Sequence, residues 1–304
     1  MSPSPVFAAA PPPSMAAHIE LEKQQLANYQ APDVQVADRT LPGTQGRIPV
    51  RIFTPNKPTR GLRPIFVWFH GGAFVFGNLE MGESQFVGYE IASRADAVVI
   101  SVDYRLVTDE SRFPICQIDG FDAVSWVYAN AESLGADPDR LFVGGASAGG
   151  CLTGSVALQL RDAAIDVAGF IPIYPLAHSV LPSHGADVLA KISDVFHFSH
   201  DWAREHNAWL TEGLAALGAA GAKRYCFPGD ATDKTGQAPF LIINADKDSL
   251  RTDGEAWAKE LRSAGVRVTD YTEPRTVHGY LSFDPASNFG TDHTLKMMAN
   301  FIRE

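Results

Sequence analysis

Cysteine is scarce in this chain of 304 residues: there are three, Cys116, Cys151 and Cys226, far apart and odd in number. No Cys-x-x-Cys or Cys/His ligand spacing accompanies them, so neither a disulfide framework nor a zinc site is expected. Such cysteines suit a reducing compartment, and the expected location is the cytoplasm. Basic residues are in deficit, with 25 Lys and Arg against 35 Asp and Glu and a formal net charge of −10. That sign argues against nucleic acid or an anionic membrane surface as partner. No apolar run reaches the length of a membrane span, roughly 20 residues. The start, "MSPSPVFAAAPPPSM", lacks a basic leader and a long apolar core, so it reads as a Pro/Ala-rich lead-in rather than a signal peptide.

What remains is an ordinary globular composition, 45% apolar and 20% charged. Helical periodicity spans Met15 to Tyr29, and "DVQVADRT" and "GRIPVRIFTP" then read as strands. "PIFVWFH", "DAVVISVDY", "DRLFVGG", "VAGFIPIYP" and "PFLIINAD" read as buried strands, and "VRVTDYT" as the last one. Helices are expected near Ser84 to Arg94, along "QIDGFDAVSWVYANAESLG" as far as Gly135, and from Ala148 to Arg161. "TDGEAWAKELRSAG" reads as a helix capped by Thr252 or Asp253 and stopped by Gly265, and "TDHTLKMMANFIRE" as the closing helix. This alternation predicts a parallel α/β sheet with helices on both faces. It breaks between His178 and Lys223, an aromatic and His-rich stretch without a good strand, which reads as an insertion at the ligand-binding edge. No internal repeat is present.

"VGGASAGGCL", Val143 to Leu152, surrounds Ser147 with four glycines and two alanines. It fits G-x-S-x-G between a strand and a helix, a turn that exposes a strained serine beside a helix N-terminus. "HGGAF", His70 to Phe74, follows the strand "PIFVWF". Serine acyl transfer needs N–H donors for an oxyanion, and paired glycines let consecutive amides face inward. Gly71, Gly72 and Ala148 are the expected donors, with His70 bracing the loop. A serine hydroxyl also needs an imidazole base. Of nine histidines, His278 alone follows a late strand and is flanked by a glycine, Gly279. The acid that orients it should follow "PFLIINA", which offers Asp246, Asp248 and Asp253. Asp246 as a turn former and Asp253 as a helix cap are the structural alternatives. "DKDSLRTDG" departs from a calcium loop at Leu250 and Gly254, and no metal is expected.

With these residues in place, the chain resembles the hormone-sensitive-lipase-like family of α/β-hydrolases. "FHGGAF", "VDYRL", "RFP", "DPDRLFVGGASAGG", "DSLRTDG" and "HGY" occur in the family's order between about Pro64 and Phe283. The resemblance implies a mostly parallel eight-stranded sheet flanked by helices and topped by a helical cap. Residues 1–45 would contribute to the cap, 178–223 would be its insertion, and 46–177 with 224–304 would form the catalytic domain. It implies Ser147 as nucleophile, His278 as base and then acid, and Asp248 as the acid, from Asp248-Ser249-Leu250 through Gly254. The implied activity is hydrolysis of short-to-medium acyl esters by a monomer or homodimer, without metal or organic cofactor. Amides or lactones as substrates, and a non-catalytic receptor, are the alternative readings. Three departures stand out: Ala73 replaces the third glycine of HGGG, Ala146 replaces the usual Asp or Thr, and "YRLVTDESRFP" lacks the family's Ala-Pro-Glu. Phe196, Phe198, Trp202 and Trp209, with Phe74 and Tyr280, suggest an apolar pocket, of which Phe74, Trp202 and Tyr280 are the chosen lining residues.

Overall fold

Strands that are apolar on both faces must be covered on both faces, and this organises the whole chain. The computed structural model describes residues 13–192, 198–212, 214 and 222–304. In chain order the regular elements are α1 (Pro13–Asn28), β1 (Val34–Gly43), β2 (Gly46–Pro55), β3 (Arg63–Phe69), α2 (Gly82–Ala95), β4 (Val98–Val102) and α3 (Ile115–Asn130). Then follow β5 (Ala136–Ala146), α4 (Ala148–Asp162), β6 (Gly169–Ile173), α5 (Ala186–Ile192), α6 (His200–Leu210), β7 (Phe240–Lys247), α7 (Arg251–Ser263), β8 (Val268–Val277) and α8 (Phe289–Arg303).

The strands form one eight-stranded sheet in the order β1-β2-β4-β3-β5-β6-β7-β8. The β1-β2 and β2-β4 pairs are antiparallel and the others are parallel. Every residue of β3, β4 and β6 is buried. Along β3 the side chains alternate between two cores, as the pleat requires. Ile65, Val67 and Phe69 join the apolar faces of α3, α4 and α7. Phe66 and Trp68 join those of α2 and α8.

The expected elements are present, with three differences. β5 begins at Ala136 and β8 continues to Val277. α7 begins at Arg251, earlier than its expected cap, and its N-cap position, Leu250, has no side-chain cap bond. Because the helix starts sooner, Asp253 lies inside its first turn and faces the core instead of capping it. Between β6 and β7 the described residues contain α5 and α6 and no strand; Phe196 lies outside the described residues.

Helix α7 is held on the sheet by Trp257, fully buried, whose ring meets Phe240 of β7 edge-on at 5.5 Å. Trp257→Ala is expected to cost about 3–5 kcal/mol of unfolding free energy, measurable by urea denaturation.

Candidate active site

The parallel strands bring four loops to one edge of the sheet, at their carboxyl ends, where such folds bind ligands. The loop after β5 is the tightest. Ser147 has φ 55° and ψ −113°, a conformation that L-residues rarely adopt, and α4 begins at the next residue. Its N–H donates to the Ile173 carbonyl at 2.9 Å, and its own carbonyl accepts from Cys151 N–H at 3.0 Å. Two of the flanking glycines are required by close approach. A Cβ on Gly145 would lie 2.3 Å from the Gly149 carbonyl oxygen, and one on Gly149 would lie 2.1 Å from that of Phe69.

His278 follows β8, and Gly279 turns the chain there with φ 78°. Its Nε2 lies 2.9 Å from Ser147 Oγ, and its Nδ1 lies 2.7 Å from Asp248 Oδ2. An ionised carboxylate only accepts, so Nδ1 carries the proton and Nε2 is left to accept from the serine. Asp248 is buried, and its other oxygen accepts from Leu250 N–H at 2.9 Å. The two other aspartates are engaged elsewhere. Asp246 pairs with Lys191 at 2.6 Å and Arg251 at 3.0 Å. Asp253 accepts from Ala177 N–H at 2.6 Å and lies 2.6 Å from His178 Nδ1. Burial of the His278 ring works against its charged form, but the Asp248 and Glu83 carboxylates outweigh it and raise its pKa above the ordinary imidazole value.

The loop after β3 lies alongside the serine. His70 is buried, stacks on Tyr104 at 4.4 Å, and its Nδ1 lies 2.7 Å from the Gly71 carbonyl oxygen. Burial pushes its pKa down to about 4, against the pull of that hydrogen bond, so the ring is a neutral brace at working pH. Gly71 N–H donates to Glu83 Oε1, so this one of the expected donors already has an acceptor. Among the described residues, no acceptor is bonded to the N–H groups of Gly72, Ala73 or Ala148.

Glu83 was not singled out from the sequence. It is an acidic residue in the first turn of α2, an ordinary place for one. Here, however, the side chain is buried, and Tyr174 Oη donates to Oε2 at 3.2 Å. Burial pushes its pKa up to about 7, although the Gly71 hydrogen bond favours the ionised form.

The residues expected to line a pocket divide. Phe74 is fully buried, edge-on to Phe113 at 4.8 Å, and belongs to the core. Tyr280 is also buried, with its hydroxyl 2.6 Å from Thr294 Oγ1 and its ring edge-on to Tyr174. Both follow chain reversals that turn their side chains inward. Trp202 is only partly buried, on α6, stacked on Phe198 at 4.7 Å. Phe198 in turn meets the His278 ring edge-on at 5.3 Å. Helix α1 reaches the same region: His18 packs on Phe283 at 4.6 Å, and Gln25 accepts from Asp284 N–H at 2.7 Å. Among the described residues, no group of three or more His, Cys, Asp or Glu side chains is placed to hold a metal ion.

Residues 66–282 match the family model described as alpha/beta hydrolase fold. The chain is an α/β-hydrolase. It belongs to the hormone-sensitive-lipase-like branch of that fold. This α/β-hydrolase is 36% identical to the carboxylesterase NlhH of Mycobacterium tuberculosis over 257 residues, 83% of this chain and 77% of the relative. It is 32% identical to the esterase LipI of the same species, over 91% of this chain and 87% of that one. The solved hyperthermophilic esterase from the archaeon Pyrobaculum calidifontis superposes with a TM-score of 0.78 at 30% identity, covering 95% of this chain and 93% of that chain.

With His278 in its expected role as base, only the neutral ring takes the serine proton, so kcat/KM is expected to fall as pH drops through its pKa. Glu83→Gln removes the negative charge that Glu83 carries in its ionised form, above about pH 7, and with it that part of the upward push on this pKa, while retaining an oxygen to accept from Gly71 N–H. The acid limb of the kcat/KM profile should therefore move to lower pH in this variant. An unmoved limb would show that Glu83 is uncharged over the range in which His278 titrates.

Proposed function

We propose that this chain is a serine carboxylesterase that hydrolyses short-to-medium acyl esters through an acyl-enzyme. The observation that carries this reading is the continuous hydrogen-bonded line from Asp248 through His278 to Ser147. Ser147 Oγ attacks the ester carbonyl carbon as His278 Nε2 takes its proton. Asp248 holds the Nδ1–H tautomer and stabilises the imidazolium that forms. The carbonyl oxygen becomes an oxyanion, for which we assign the N–H groups of Gly72, Ala73 and Ala148. Ala148 N–H lies at the start of α4, whose dipole also favours negative charge there. Gly71 is reassigned from donor to anchor, since its N–H is held by Glu83.

Collapse of the tetrahedral intermediate breaks the C–O bond to the alcohol, which leaves with the proton from His278 Nε2. Water then gives its proton to the same nitrogen as it attacks the acyl carbon, and the acid is released with Ser147 reprotonated. The steps use side chains and backbone amides alone. We further propose that α1 and the described part of the insertion of residues 178–223 cover this site as a cap, supported by the packing of His18 on Phe283 and of Phe198 on His278. Among the described residues no helix is long and apolar enough to cross a membrane. A cytoplasmic monomer or homodimer is our reading, supported for the location by three buried free cysteines.

Ser147→Ala is expected to lose hydrolysis of p-nitrophenyl butyrate by roughly 10⁴-fold or more, with thermal unfolding little changed. Retained turnover in that variant would remove the mechanism. Between the aspartates, Asp248→Asn should lower kcat by about 10³–10⁴-fold, because amide at this position no longer fixes the tautomer. Asp246→Asn, whose carboxylate serves Lys191 and Arg251, should stay close to the parent rate in the same assay.

A further inference from the structure

An aromatic column runs from Phe198, just ahead of α6 and against His278, along the helix to Trp209. Trp202, His206 and Trp209 recur at spacings of four and three, which places them on one face of α6, and Phe198, two residues before the helix, extends the column. Successive rings stack at 4.7, 4.8 and 5.8 Å with interplanar angles of 27°, 14° and 21°. The Arg112 guanidinium closes the far end, 4.1 Å over Trp209, and its Nη1 donates to the Trp209 carbonyl at 2.6 Å. At the near end stands the edge-on contact of Phe198 with His278.

The third ring is the informative one. His206 is buried, and its Nε2 lies 2.9 Å from the carbonyl oxygen of Ala73. A carbonyl only accepts, so Nε2 carries the proton, and the buried Nδ1 has no partner among the described residues. Ala73 and Phe74 have φ of 51° and 66°, two consecutive side-chain-bearing residues in the left-handed region. Such a pair persists only where its surroundings hold it. The Phe74 carbonyl accepts from Val107 N–H at 2.8 Å, and the Gly72 carbonyl accepts from Val75 and Phe76 N–H at 3.0 Å. The Ala73 carbonyl is held by α6 alone among the described hydrogen bonds.

We propose that His206 is a positioning residue that fixes the oxyanion loop from the insertion side, so that the Gly72 and Ala73 amides are aligned only while α6 is seated. The inference rests on the esterase reading and on the donor assignment made above. His206 acts as a wedge with one directed proton: the stack sets the ring plane, and the ring plane aims Nε2–H at the peptide that follows Ala73. Burial keeps it uncharged, with a pKa down to about 4, so the clamp does not change over the range in which His278 works.

The test uses the full-length enzyme with p-nitrophenyl butyrate, a trifluoromethyl ketone as tetrahedral mimic, and a fluorophosphonate that labels the serine. His206→Phe keeps a ring in the column and removes the donor. It should lower kcat by about 30-fold with KM within about 2-fold, and weaken the trifluoromethyl ketone by the same factor as kcat/KM. His206→Gln keeps an N–H at similar reach but breaks the stack, and should recover kcat to within about 3-fold of the parent even where its melting temperature falls. A folded His206→Phe enzyme with parental kcat and inhibitor affinity overturns the proposal. So does a His206→Gln enzyme that melts like the parent yet has lost the rate, and this second variant decides the matter if the first does not fold. Failure of the esterase reading is separate: the parent protein would then neither turn over the ester nor take up the fluorophosphonate at Ser147.

Discussion

Ser147 is held in a backbone conformation that side-chain-bearing residues avoid, and most of its surroundings follow from keeping it there. With φ 55° and ψ −113° it joins a strand directly to a helix, leaving no room for relaxation on either side. The bond from its N–H to Ile173 ties the turn to β6, and the bond from Cys151 ties it to α4. Gly145 and Gly149 allow the turn to approach the end of β3, where any Cβ would meet backbone. That same approach brings the loop of residues 70–74 alongside the serine. One steric demand therefore sets both the position of the Ser147 side chain and the proximity of the loop amides.

Charge in this site is managed by burial with a partner for each group. Asp248, Asp253 and Glu83 are all buried, and an unpaired carboxylate in such surroundings is costly. Asp248 faces His278 and Leu250 N–H, Asp253 faces His178 and Ala177 N–H, and Glu83 faces Gly71 N–H and Tyr174. The three do different work: one orients the His278 ring, one ties residues 177 and 178 to α7, and one anchors the glycine loop. Glu83 also acts on His278 through space, so the anchor of the glycine loop and the basicity of the imidazole are electrostatically linked.

Buried β-rich runs and their alternation with helices made the sheet legible in the sequence, because those patterns report burial, which is a property of the element itself. The elbow was legible for a similar reason: a cluster of small residues is a local steric requirement. Pairings between distant parts of the chain were less so. Asp248 and Asp246 are two residues apart and chemically alike, and only the resemblance to a family separated them. Glu83 looked like any acid at a helix start, since its burial depends on β3 and Tyr174. Phe74 and Tyr280 carry the hydrophobicity of pocket residues and of core residues equally; the left-handed turns beside them decide which way they point. Gly71 shows the limit at finer scale, because a Gly-Gly pair announces inward-facing amides without saying which acceptor each will meet.

The two alanines that depart from the family pattern have separate physical consequences. Ala146 is fully buried in the apolar cluster on the α2 and α8 side, which includes Ile173 and Ala245. A polar side chain there would need a hydrogen-bonding partner, and alanine removes that need without disturbing the turn. Ala73 acts in the opposite direction. At φ 51° its methyl costs energy that a glycine would not, about 1–2 kcal/mol for a left-handed residue. It also narrows the conformations open to the unfolded loop, which favours order once a partner holds the native one. The loop is thereby stiffer than its glycine counterpart and more reliant on contacts made from outside it. That reliance gives a physical reason for α6 to reach down onto the loop, where His206 Nε2 meets the Ala73 carbonyl.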